Sequence, residues 1–403
     1  MKNTLTSNSS SGIFLLYEGL PPTIIESQVL AHARSMSEVG VKMEVWAFAV
    51  TPNAYSVALT ALPRLLKTYP TIVIRLFRGV RPALPFSEWL NALLLLWWMW
   101  RLGARPSFVH ARTEHATMIA AIARRVKKYR LIWDARGDAL SEFSETARYL
   151  PRLWRWLAPL KMRAISKRLK MAARHSDYAI FVSDALRRLQ GSELPIERTL
   201  VVPCLADEGL FYFDPKLREE TRRELGYSDK DIVIVYVGST SLWQCVPETI
   251  ALMERALRTN PVCKALIVTS TRGAFEDALA NDLRDRVCVT SGALGDINRY
   301  LNAADFGVLL RKPNAINWVA SPVKFAEYSL AGLVVVTTDA VEQVIEIGQA
   351  LGNTVNEIDF MNHVRNNRKP TNRLDVADKA RTILGRGSHA QRIRDWYPPA
   401  NNK

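Results

Sequence analysis

The sequence predicts an α/β protein built as two doubly wound domains, and three observations lead there. Short aliphatic runs of the kind that form buried parallel strands recur along the chain, from Ile13-Phe14-Leu15-Leu16 to Val334-Val335-Val336. Helical segments alternate with them, which is the grammar of parallel sheets. The 403 residues exceed one typical core, and the same alternation restarts after a polar, charged connection over 205–230. The boundaries read as a disordered tail over 1–11, an N-terminal domain over 12–205 and a C-terminal domain over 206–385. A final helical segment over 386–403 has the N-terminal domain as its candidate docking surface.

In the N-terminal half, strands are predicted over 12–17, 41–48, 71–77, 107–112, 130–137, 178–182 and 200–203, with helices over 23–39, 116–127 and 184–189. The turn after the first strand, Glu18-Gly19-Leu20-Pro21-Pro22, faces the ligand edge of such a sheet but lacks G-x-G-x-x-G. Polar residues close two strands on that edge: His110 with Arg112, and Asp134 with Arg136. The tryptophan-rich helix over 89–100 is too short for a bilayer, which needs roughly 20 residues. It reads as a buried helix or as an interfacial element. Residues 151–175 interleave Trp154, Trp156, Leu160 and Ile165 with Arg152, Arg155, Lys161, Arg163, Lys167, Arg168, Lys170 and Arg174. That pattern is a basic amphipathic helix broken at Pro159, either solvated or lying on an anionic surface.

In the C-terminal half, strands are predicted over 232–237, 264–268, 287–289, 306–310 and 334–336. Helices are predicted over 217–225, 246–258, 296–304, 341–351, 374–384 and 388–397. Gly238-Ser239-Thr240-Ser241 is a small-residue turn that a phosphate can approach closely. The segment Ser321-Pro322-Val323-Lys324-Phe325-Ala326-Glu327-Tyr328 opens a helix, with Ser321 as N-cap, Pro322 at the first helical position and Gly332 beyond the end. Lys324 falls in the first turn, where a cation opposes the helix dipole by roughly 0.3–1 kcal/mol. A phosphate held at that tip offsets the cost, and Glu327, on the same face, then suits ribose hydroxyls. The alternative is an ordinary amphipathic helix with both side chains solvated.

A hydrophobic content of 48% and a charged content of 23% describe an ordinary globular protein, but a net charge of +15 implies an anionic partner. Nucleic acid accounts for the charge, but no motif supports it. The four cysteines, Cys204, Cys245, Cys263 and Cys288, form no C-x-x-C pair. Neither a disulfide framework nor a zinc site is expected, and a reducing cytosol fits. The Ser/Asn-rich start carries no signal-peptide pattern.

Three stretches carry a family resemblance: Gly238-Ser239, Leu301 to Leu310, and Ser321 to Tyr328 resemble the group 1 glycosyltransferases of GT-B architecture. Ile25-Glu26-Ser27-Gln28-Val29, Val109-His110-Ala111-Arg112 and Asp134-Ala135-Arg136-Gly137 resemble the N-terminal half of a bacterial polysaccharide and glycolipid branch. The resemblance implies two Rossmann-like domains facing across a cleft. It also implies a retaining transfer from a nucleotide sugar to a lipid-linked or polysaccharide acceptor, without metal or other cofactor. Glu327 would receive the donor ribose, and Ser321, Pro322 and Lys324 the diphosphate. Gly238, Ser239 and Gly19 would lie against the phosphates. His110, Asp134 and Arg136 would face the acceptor and the transferred sugar. The sequence departs from the family where Val319 replaces a second glutamate, and where no basic residue follows the Gly238 turn. Arg311 and Lys324 are the substitutes for that charge. Peripheral attachment at the cytosolic face of the plasma membrane, through 151–175 with 89–100 as a further candidate contact, completes the expectation. A sugar-nucleotide epimerase and a non-catalytic scaffold are the alternatives.

Overall fold

The computed structural model describes residues 11–21, 25–82, 86–240 and 244–397. Of the predicted tail, residues 1–10 lie outside the described residues, and Ser11 already opens β1. The predicted helix start at 23 and Ser241 of the small-residue turn also lie outside them. The chain forms two compact units, the first comprising Met1–Pro203 and His389–Lys403, the second Cys204–Ser388.

The strands of unit 1 are β1 (Ser11–Leu16), β2 (Lys42–Ala49), β3 (Val73–Arg78), β4 (Phe108–Arg112), β5 (Arg130–Ala135), β6 (Tyr178–Phe181) and β7 (Thr199–Val201). Among the described residues they form a seven-stranded parallel sheet of order β3-β2-β1-β4-β5-β6-β7. The order reverses between β1 and β4, so the carboxyl ends of those strands flank a switch point. Unit 2 holds β8 (Ile232–Val237), β9 (Cys263–Val268), β10 (Val287–Thr290), β11 (Phe306–Leu309), β12 (Val334–Thr337) and β13 (Thr354–Val355). Its parallel sheet runs β10-β9-β8-β11-β12-β13, with the reversal between β8 and β11.

Strand alternation builds the core. Ile232, Ile234 and Tyr236 of β8 enter one apolar cluster, while Val233 and Val235 enter the cluster on the other face. The helix Val323–Leu330 supplies Phe325, Ala326 and Tyr328 to the second cluster. Gly307 of β11 has no room for a Cβ because the Tyr328 ring fills that space.

Several elements differ from expectation. A helix at Pro52–Thr68 was not foreseen: Pro63 lies inside it, and it buries only Ala58 and Leu65. The first predicted helix begins as a π-helix over Ile25–Leu30 before Ala31–Glu38. The basic segment breaks before Pro159, between Arg152–Arg155 and Ala158–His175, because a proline without an N–H fits the first turn. Arg168 is not on its exposed face: it is buried, bonded to Glu88 at 2.6 Å. Residues 205–230, expected as a polar connection, pack within unit 2. Ala206 bridges to Gly385 and accepts the Arg386 N–H at 3.1 Å, and the helix Pro215–Glu224 docks through Arg218 and Arg222 on Asp305.

Asp305 anchors this docking. Its carboxylate accepts from Arg218 at 2.6 Å and from the Val233 N–H at 2.8 Å, with its side chain 1% exposed. Asp305→Ala leaves the buried Arg222 and the half-buried Arg218 without their carboxylate and is expected to cost about 3–5 kcal/mol. Denaturant unfolding checks this; a loss below about 1 kcal/mol contradicts it.

Candidate functional site

The described groups fall into two sets, one in each unit. In unit 2, the helix Val323–Leu330 follows β11, and its first turn reaches the carboxyl end of β8. Two contacts hold it there: the Tyr328 hydroxyl accepts the Val237 N–H at 3.0 Å, and the Tyr328 ring lies against Gly307. Lys324 is thereby carried to Gly238, so closely that a Cβ at Gly238 would run into its ammonium. The ammonium donates to Gln244 Oε1 at 2.7 Å and sits 4.7 Å from the centre of the Tyr236 ring. The Tyr236 hydroxyl donates to the Ser239 carbonyl at 2.8 Å and shapes the turn. Arg311, at the end of β11, donates to Gln244 Oε1 at 3.4 Å and to the Leu310 carbonyl at 3.1 Å. The structure thus gathers Gly238, Ser239, Arg311 and Lys324 at the unit 2 switch point, with Glu327 one helical turn beyond Lys324.

The capping expectation for that helix needs correcting. Pro322, not Ser321, occupies the N-cap and makes no side-chain cap. Ser321 Oγ instead accepts the Cys204 N–H at 2.8 Å, so a residue distant in sequence has taken the acceptor a local cap would use. The first-turn N–H groups are thereby left without a side-chain cap.

Two cations share this pocket of charge. Burial and the neighbouring Arg311 push Lys324 down to about 7, opposed by Glu327. Burial pushes Glu327 up to about 7, opposed by Lys324. Burial also lowers Arg311 from its ordinary value. A ligand carrying negative charge would reverse these penalties on the cations.

In unit 1, the polar residues of β4 and β5 form a closed chain. His110 and Asp134 are fully buried. His110 Nε2 lies 3.3 Å from Asp134 Oδ2, and Arg136 Nε donates to Asp134 at 2.8 Å. Burial opposes ionisation of Asp134, yet Arg136 and His110 hold its carboxyl well below the usual carboxylate range. Burial also lowers His110, against the pull of Asp134. His110 therefore faces side chains, and Arg136 is the member of the group that retains exposure, 17% of its side chain. Arg112, at the end of β4, donates to Gln28 at 2.9 Å and lies 3.5 Å from Glu18. Gly19 follows β1 with φ +72°, a left-handed conformation that favours glycine, and donates its N–H to Phe48. Thr113, directly after β4, adopts φ +68°, a strained value for a β-branched residue.

Residues not singled out from the sequence join both sets. Gln244 and Tyr236 complete the unit 2 cluster. Tyr236 signalled itself as the one aromatic residue of an aliphatic strand, next to its last residue, whereas Gln244 carried no signal. In unit 1, Tyr397 meets His110 Nδ1 at 2.6 Å across 287 residues of sequence. Val319, where the resemblance leads one to expect a second glutamate, is 4% exposed.

The titrations have a measurable consequence. The raised Glu327 contributes stability that is complete below its ordinary value and is lost as pH rises through about 7. The depressed Lys324 contributes stability present above its ordinary value and lost as pH falls through about 7. Ligand-free protein is therefore expected to have a stability minimum near pH 7 from this pair. The Tm of the wild type relative to Glu327→Gln should fall between about pH 5 and about pH 7; a constant difference refutes the assignment.

Comparison with known proteins agrees with this architecture. Residues 25–209 match the model of Glycosyltransferase Family 4. No curated protein matches the sequence. Among solved structures, the chain resembles HepE of Anabaena bound to UDP and glucose, at 16% identity and TM-score 0.66, covering 96% of this chain and 98% of that one. It also resembles sucrose-phosphate synthase of Thermosynechococcus elongatus, at 13% identity and TM-score 0.70, covering 96% and 98%. WaaG, a glycosyltransferase involved in lipopolysaccharide biosynthesis, matches at 16% identity and TM-score 0.59, again over 96% and 98%. These structural likenesses are likenesses of fold. The chain thus carries a match to the Glycosyltransferase Family 4 model over residues 25–209 and shares with these structures the fold of two Rossmann-like units.

Proposed function

We propose that the protein transfers a sugar, with retention of configuration, from a nucleoside-diphosphate donor to a lipid-linked or polysaccharide acceptor at the cytosolic face of a membrane. The observation that carries the donor half is the pairing of Lys324 and Arg311 beside the Cβ-free position at Gly238. A departing nucleoside diphosphate must have its charge neutralised, and side chains with a helix N-terminus can do this without a metal. Glu327 accepts hydrogen bonds from the donor ribose in this reading. Ser239 and the backbone over Ser321 and Pro322 supply phosphate contacts in this reading. HepE, a protein of the same fold, has been seen with UDP and with UDP-glucose, which supports a nucleotide sugar as donor.

In the proposed transfer, the acceptor hydroxyl attacks the anomeric carbon from the face that the leaving group departs. Its proton passes to the β-phosphate oxygen as the glycosidic bond to that oxygen breaks. His110, Asp134 and Arg136 serve the acceptor side, with Arg136 reaching substrate and the other two fixing it. Exclusion of water protects the donor from hydrolysis.

Membrane attachment rests on a surface of unit 1. On the helix Ser87–Arg101, Trp89, Leu90, Leu93, Trp97 and Trp100 are exposed, Trp100 to 76%. Trp154, Trp156 and Leu160 are exposed near the start of the basic segment, among exposed Arg152, Arg155, Lys161, Arg163 and Lys167. The Glu88–Arg168 pair ties the two helices together. Tryptophan, leucine and cation together suit an anionic headgroup layer. Among the described residues, no helix is long and apolar enough to cross a membrane.

A thermal-shift screen of nucleotide sugars tests the donor assignment. A true donor at about 100 times its Kd adds roughly 2.7 kcal/mol of stability. Glu327→Ala should weaken donor binding about tenfold or more; full affinity in that variant refutes its role. Nucleotide binding without transfer to any acceptor would instead favour a non-catalytic scaffold, and donor turnover without an acceptor would favour an epimerase.

Sedimentation with anionic vesicles tests the membrane surface. Binding should weaken as salt rises and fall further in Trp154→Ala with Trp156→Ala. Absent or salt-insensitive binding rules the attachment out.

A further inference from the structure

The C-terminal helix Arg386–Trp396 ends against the face of the unit 1 sheet that carries His110. Trp396 packs edge-on to Tyr178 of β6, and the Tyr397 ring lies 4.9 Å from Phe108 of β4. This packing buries Tyr397 to 5% exposure and sets its hydroxyl between two imidazoles, 2.6 Å from His110 Nδ1 and 2.9 Å from His32 Nε2.

The proton positions follow from the donor and acceptor inventory. Asp134 is ionised and can only accept, so the His110 nitrogen facing it, Nε2, carries the proton. His110 Nδ1 is then an acceptor, and the Tyr397 hydroxyl donates to it. With its one proton committed, the Tyr397 oxygen accepts from His32 Nε2. The result is a directed chain from His32 to Tyr397 to His110, whose Nε2 faces the Asp134 carboxylate at 3.3 Å as an electrostatic contact, and Arg136 holds that carboxylate at the carboxyl edge of β5. Every link lies within unit 1.

We propose that Tyr397 is a positioning residue for the transfer reaction: its hydroxyl fixes the His110 tautomer, and through it the orientation of the Asp134–Arg136 pair presented at the sheet edge. The inference rests on the reading that His110, Asp134 and Arg136 serve the acceptor side. It differs from a purely structural role because the ring packing alone does not require the hydroxyl. A phenylalanine keeps the contacts to Phe108 and Trp396 and removes only the hydrogen bonds.

The test is Tyr397→Phe in the full chain, with kcat, both KM values and the pH profile measured against His110→Ala. A misplaced catalytic group costs on the order of 10–100-fold in rate, so kcat should fall by that factor while donor KM stays within about twofold. The groups around His110 are Asp134, Arg136, Arg112, His32 and Tyr397. Tyr397 donates to the neutral imidazole, so its loss favours the protonated form and should move the acid limb of the profile to higher pH. Wild-type kcat and pH profile in Tyr397→Phe, with His110→Ala inactive, overturns this inference alone. Full activity in His110→Ala overturns the parent reading. The imidazole nitrogen NMR signals of the wild-type protein give a readout that needs no variant: His110 protonated on Nε2 is expected, and an Nδ1-protonated His110 refutes the chain.

Discussion

One hydrogen bond and one ring contact set the geometry of unit 2. The Tyr328 hydroxyl accepts the N–H of Val237 at the last residue of β8, and the ring fills the space that Gly307 leaves on β11. A helix attached to two neighbouring strands at once cannot slide or rotate without breaking one attachment. Its first turn is therefore fixed over the point where the strand order reverses, and Lys324 arrives at Gly238 as a consequence. The cation pair with Arg311 follows, because β11 ends beside β8. Gln244 stands between the two cations as a shared acceptor. It stabilises them with a neutral dipole, and the one acidic group that acts on Lys324, Glu327, is itself pushed toward its neutral form by burial.

Unit 1 meets a related problem in a different way. Asp134 is buried, and its charge is satisfied internally by Arg136 and His110. The two units thus present opposite electrostatic characters: a positive site seeking an anion in unit 2, and a self-compensated polar chain in unit 1. That division suits the proposed transfer, in which a charged donor would bind unit 2 and a neutral hydroxyl would be presented by unit 1.

Much of the fold was legible because valine and isoleucine runs in a parallel sheet are buried on both faces and cannot be mistaken for surface. β8 and β12 are such runs, and Gly332 marked the end of the helix before β12 by its left-handed conformation, φ +70°. The helix Pro52–Thr68 was not legible, because it lies largely exposed, burying only Ala58 and Leu65, while Pro63 argues locally against it. Lys324 and Glu327 could be singled out because their spacing and helix position are local properties. The use of Ser321 by Cys204, of Gln244 by two cations and of Tyr397 by two histidines depends on which loops and ends the tertiary fold brings together. No local pattern encodes those pairings.

The chain leaves unit 1 after Pro203 and re-enters it from His389. The order of synthesis therefore differs from the order of structural completion. When the ribosome has finished the seven strands of the first sheet, the helix that covers His110 has not yet been made. It emerges only after the whole of unit 2. During that interval a face of the sheet bearing Phe108, His110 and Tyr178 lacks its cover, and the first unit to be translated is the last to close. The cover of the first sheet therefore waits on the synthesis of unit 2, and the segment from His389 seals a face that stays open until then.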